Sequence, residues 1–154
     1  MKRIILILFI VASAGCGGKD NMTLGTCKEK VKKSLKELLL LTNDDSFVIF
    51  SNPKTGKYCQ FAKVRKGLFF DLPFLTLSNE ETKRAGIVLE KYGFPKAVYC
   101  RMYDSSGKDR KEVEGWKAFQ KELGNDVDLA TEIVMAVFAE VYQFNPDTKI
   151  QIKN

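Results

Sequence analysis

Residues 46–73 read SFVIFSNPKTGKYCQFAKVRKGLFFDLP, and this stretch decides the fold class. It holds three short runs rich in Phe, Val, Ile and Tyr, "SFVIFS", "KYCQFAKV" and "GLFFDLP", which are strand-like in composition. The first two flank "NPKTGK", where Pro53 and Gly56 supply turn geometry. Gly67 opens the third run and Pro73 closes it. Spacings this short leave no room for crossover helices, so the three strands form an antiparallel meander.

Helical patterns lie on both sides. "TCKEKVKKSLKELLLL" (26–41) places Val31, Leu35, Leu38 and Leu39 on one face. Thr26 and Glu29 match a capping box. Lys28, Lys30, Lys32, Lys33 and Lys36 cover its other sides, as a solvated face or as a basic strip facing anionic lipid head groups. Beyond the meander, a helix is expected over about 79–92, with a Ser78–Glu81 capping box and a stop at Gly93 and Pro95. Its buried face is Ala85, Val88, Leu89 and Tyr92. "KAVYCRMY" (97–103 at its core) is a fourth strand, and "EVEGWKAFQKEL" (112–123) a fifth, with helix as the alternative. The strongest helical period runs through 125–144, with Ala130, Ile133, Val134, Val137, Phe138 and Val141 inward and Asn125 as its cap. The order αβββαββα predicts an α+β fold, a twisted antiparallel sheet of about five strands flanked by helices.

The start of the chain has a different composition. Lys2 and Arg3 precede an apolar run, Ile4 to Ala12, too short to cross a bilayer and suited to an export signal. It ends in Ser13-Ala14-Gly15-Cys16, which resembles the bacterial lipobox. That resemblance implies removal of residues 1–15 and a lipid on Cys16, with Ser13 standing where leucine is commonest. Ala12-Ser13-Ala14 also fits an A-x-A exit, which would release a soluble chain. Gly17 after the lipid site points to an outer membrane where a cell has one. Residues 16–25 read as a flexible tether, and 26–154 as one domain. Removal of the leader leaves about 140 residues, enough for a single core.

The 154-residue chain has a net charge of +6, of which Lys2 and Arg3 contribute two, and no histidine. Lack of histidine excludes Ser-His-Asp and Cys-His catalysis and HExxH zinc chemistry. Neither GxxxxGK[ST], GxGxxG nor CxxC occurs. No cofactor, metal site or catalytic residue is expected, and export argues against nucleic acid as a partner. Cys27, Cys59 and Cys100 remain after lipidation; Cys59 and Cys100 sit in apolar strand patterns, and the three read as structural thiols, with a bridged pair as the alternative.

The stretches "FVIFSNPKTGKYCQFAK", "FFDLP" and "LGNDVDLATEIVMAVFAEVYQF" resemble the chaperone-like domain of type III secretion chaperones and of sensory-transduction-regulator-like bacterial proteins. The resemblance covers about 27–145. It implies a twisted antiparallel sheet with helices, frequent dimers, and binding of polypeptide segments without catalysis. Those chaperones are cytosolic and acidic, whereas this chain is basic with an export leader, so only protein binding carries over.

Three residues have the composition of a protein contact: Tyr99, Arg101 and Tyr103, at alternate positions of the fourth strand. Phe69, Phe74 and Trp116 are further aromatics, placed either in the core or on an outward patch. Asp71 is the one carboxylate within an apolar strand: it terminates the strand, accepts hydrogen bonds from nearby backbone N–H groups, or is a buried functional acid. Adjacent Glu80 and Glu81 point apart on a helix and complement its dipole. The expected function is that of a lipid-anchored, non-enzymatic module binding a protein segment or a second copy. A small-ligand binder or enzyme using Asp71 and tyrosines is the rival, and a passive envelope component the third reading.

Overall fold

A computed structural model describes residues 22–42, 46–103 and 110–154, and over 98–103 and 110–116 it describes the backbone alone. Cys16 therefore lies outside the described residues, as do the side chains of Tyr99, Cys100, Arg101, Tyr103 and Trp116.

The three apolar runs form strands β2 (Phe47–Ser51), β3 (Tyr58–Val64) and β4 (Gly67–Pro73), paired antiparallel in sequence order. The β2–β3 turn is built around Asn52, whose Oδ1 accepts from the Lys54 and Thr55 N–H groups. Gly56 completes it at φ 71°. Helix α1 (Lys28–Leu40) precedes the meander and α2 (Asn79–Glu90) follows it, after a 3-10 turn at Phe74–Thr76. Strands β5 (Val98–Tyr103) and β6 (Arg110–Gly124) come next, then α3 (Val127–Ala136), whose last turn widens into a π-helical segment, Val137–Val141. "EVEGWKAFQKEL" is thus strand. The fold is α+β, with helices packed on an antiparallel sheet.

That sheet is larger than expected. Among the described residues it has seven strands in the order β1-β7-β2-β3-β4-β6-β5, where β1 is Met22–Thr23 and β7 is Lys149–Lys153. Strand β7 lies between β1 and β2 and pairs antiparallel with both. Met22–Gly25, expected in the tether, belong to the fold: Met22 and Leu24 are buried, and the Leu24 and Gly25 amides donate to Thr148 and Pro146. Buried Met22, Leu24 and Ile150 are the apolar anchors that draw two polar-looking segments into one ladder.

Alternation along the strands sends Val48, Phe50, Cys59, Phe61, Leu68, Phe70, Leu72 and Ile150 to the helix-covered face. Val31, Leu35 and Leu38 of α1 meet them, with Ala85, Val88 and Leu89 of α2. Ala130, Ile133, Val134, Val137, Phe138 and Val141 are fully buried, as their period demands.

Caps test the local reading closely. Ser78 and Glu81 form the full capping box of α2. Its exit is a Schellman turn: the Phe94 amide donates to Leu89 and the Gly93 amide to Glu90, with Gly93 at φ 68°. The other two caps shift by one residue. Asp126, not Asn125, accepts from the Leu129 amide at 2.9 Å. Cys27 precedes α1 without a side-chain cap, because Thr26 Oγ1 turns back to donate to the Thr23 carbonyl. Cys27 and Cys59 are free, buried thiols, and desolvation pushes both above the usual thiol range.

Candidate functional site

Two places in the fold collect the residues singled out above. The first is the edge of the sheet at β5. Strand β5 ends the sheet order, and among the described residues it pairs only with β6. Tyr99, Arg101 and Tyr103 lie on this strand, opposite Lys117, Glu112 and Arg110. The register shifts between Tyr99 and Arg101, so the three positions do not share one uninterrupted ladder. An irregularity of this kind twists an edge and makes indiscriminate pairing less favourable.

The aromatics grouped with them separate. Phe69 is buried at 7% exposure. Phe74 packs against the core beside Phe119, ring centres 5.1 Å apart. Neither contributes to an exposed patch.

The second place is the middle of the sheet on the face opposite the helices. Cross-strand register puts Gln60 of β3, Asp71 of β4 and Gln120 of β6 in one row. Asp71 Oδ2 accepts from Gln60 Nε2 at 2.6 Å and Oδ1 accepts from Gln120 Nε2 at 2.8 Å. Both glutamines are buried at 7% exposure. The Asp71 residue keeps some exposure, but its carboxylate sits between the two amides. Burial raises its carboxyl above the ordinary range, and the Gln120 and Gln60 donors oppose that shift only in part. Asp71 is thus a hydrogen-bond acceptor, with side-chain amides in place of the backbone groups considered for it. The partners were hidden in the sequence, since Gln60 and Gln120 meet Asp71 only through register.

This geometry yields a prediction with a definite sign. An acid whose folded pKa exceeds its unfolded value holds a proton longer in the native state, so its stability contribution falls as pH rises between the two. Asp71→Asn removes that dependence, and a flipped glutamine amide can satisfy the new NH2 group. Its melting temperature should exceed that of the parent by about 4 °C at pH 7, equivalent to about 1 kcal/mol for a domain of this size. The gap should close towards pH 4. A lower melting temperature for the variant at pH 7 would mean that the amide–carboxylate bonds outweigh desolvation.

Glu81 has a role beyond capping. Lys57 Nζ donates to its Oε2 at 2.5 Å and to the Thr76 carbonyl at 2.9 Å, tying the β2–β3 hairpin to α2. Tyr142 adds a second tie by donating to the Tyr58 carbonyl at 2.6 Å. Both are links between elements of the fold. Among the described residues no group of three His, Cys, Asp or Glu could hold a metal ion, and no helix is long and apolar enough to cross a membrane. No family model, curated protein or solved structure matches the chain.

Proposed function

We propose that this chain is a non-enzymatic protein-binding module, anchored to a membrane through lipid on Cys16, that takes an extended segment of a partner protein along β5. The observation that carries this reading is the position of β5 at the end of the sheet. An edge strand offers unpaired N–H and C=O groups, and an added strand gains main-chain hydrogen bonds there. Tyr99, Arg101 and Tyr103 supply the side chains for specificity, since Tyr and Arg are enriched where binding energy concentrates. Docking of a second copy edge to edge would use the same groups. The setting is the cell envelope, facing the periplasm or exterior.

Tyr99→Ala and Tyr103→Ala in the full chain test it, with association and melting measured on the same samples. Each should weaken partner or self-association about 30-fold, or about 2 kcal/mol, with melting nearly unchanged. Lost stability with intact association would assign both tyrosines to packing and end the proposal. Fatty-acid labelling of the parent chain and of Cys16→Ser checks the anchor separately. Label retained on Cys16→Ser rules out this attachment site.

A further inference from the structure

Helix α1 presents an outer surface that the core does not use. The helix carries Lys28, Lys30, Lys32, Lys33 and Lys36 against only Glu29 and Glu37; Lys32 turns to α3, where it pairs with Asp128 at 2.6 Å, and Lys33 lies 3.8 Å from Glu37. Lys33, Lys36 and Leu40 recur at i, i+3 and i+7, which places them on one stripe. Leu40 is 81% exposed, and Leu41 beside it 48%. The helical period assigns Leu38 to the core, and it is buried; Leu40 and Leu41 belong to the same apolar run but project outward. Lysines leading to exposed leucines on one helix face match a surface that lies in a lipid interface.

The point of chain entry agrees with this. The described residues begin at Met22, six residues beyond Cys16 and six before the first residue of α1. Six residues reach about 20 Å when extended, comparable to the length of this helix.

We infer that the outer stripe of α1, formed by Lys33, Lys36 and Leu40 with Leu41 just beyond the helix end, lies on an anionic phospholipid surface and orients the domain on its membrane. The inference rests on the reading that Cys16 holds the chain at that membrane. The lysines supply attraction to lipid phosphates, which fades within a Debye length. The leucines enter the head-group region. Such contact presents the domain in one orientation with respect to the bilayer, where a lipid alone leaves it free to rotate.

The test uses the full chain in a Cys16→Ser background, so that every sample shares the same leader and none carries lipid. Partition onto vesicles with about 30% phosphatidylglycerol is compared with phosphatidylcholine vesicles at physiological salt. Reversal of Lys30, Lys33 and Lys36 to Glu, exposed lysines spaced three apart, should weaken binding to the anionic vesicles about tenfold or more. The control reverses Lys54, Lys66 and Lys153, also exposed and of equal charge change. It should lose less than about threefold. Leu40→Ser should weaken binding to a smaller degree, and phosphatidylcholine partition should not distinguish the charge variants. Equal losses in the two triple variants overturn the inference, leaving net charge as the cause. Self-association in detergent that Leu40→Ser abolishes, with vesicle binding unchanged, overturns it in favour of a second copy. Fatty-acid labelling of the parent chain reads the anchor independently, so its failure is distinguishable from a failure at α1.

Discussion

Gly67→Ala is expected to cost the domain about 4 kcal/mol or more, among the largest effects of any single substitution here. Gly67 sits where β3 turns into β4, at φ 114°, a conformation costly for any residue with a Cβ. A methyl group there would lie 2.2 Å from the Gly124 carbonyl oxygen and 2.8 Å from its Cα. Both are backbone atoms of β6, so no rotamer change relieves the overlap. The two strands would have to part where Leu68 pairs with Gly124, beside the register shift between Leu68 and Phe69. Gly56→Ala is the matched control. Gly56 also has positive φ, at 71°, but nothing lies within 4 Å of its added Cβ. Backbone strain alone should then cost about 1–2 kcal/mol. Urea unfolding of both variants separates strain from collision, and equal costs would mean that β4 and β6 do not approach this closely.

Phe70→Ala should destabilise the domain by about 4 kcal/mol. Phe70 is fully buried on β4. Its ring meets Phe61 and Phe94 edge to face, each at 5.2 Å between centres. The substitution leaves a cavity under the helices and breaks two aromatic pairs at once. In thermal terms the loss is about 12–20 °C. Ile87→Ala provides the contrast: Ile87 is 65% exposed on α2, and its truncation should stay within about 0.5 kcal/mol. A cost below about 1.5 kcal/mol for Phe70→Ala would place that ring outside the core.

The two substitutions differ in how visible their causes are from the sequence. Phe70 stands in an apolar strand that sits third in a meander, a place where an aromatic side chain is ordinarily buried. Gly67 is readable only as the start of a strand. Its collision partner, Gly124, lies 57 positions later and meets it through pairing of β4 with β6. The site divides along the same line. Asp71 stands out in the sequence as a charge within an apolar run, whereas its partners Gln60 and Gln120 do not, because each is an ordinary polar residue on its own strand.

Local patterns by themselves determined the α+β class, the meander, and three helices with their buried faces. They also determined the Ser78–Glu81 box and the Gly93 exit of α2. These depend on interactions within a few residues, which period and cap chemistry encode directly. Tertiary structure alone decided the rest. It recruited "KIQIK" (149–153) as β7, drew Met22–Gly25 out of the tether, placed β5 at the sheet edge, and left Leu40 and Leu41 facing outward. Each of these depends on a neighbour distant in the chain. A short strand becomes stable only when a pre-formed edge supplies its hydrogen-bond partners, and an apolar residue is buried only if the fold brings a second surface to cover it.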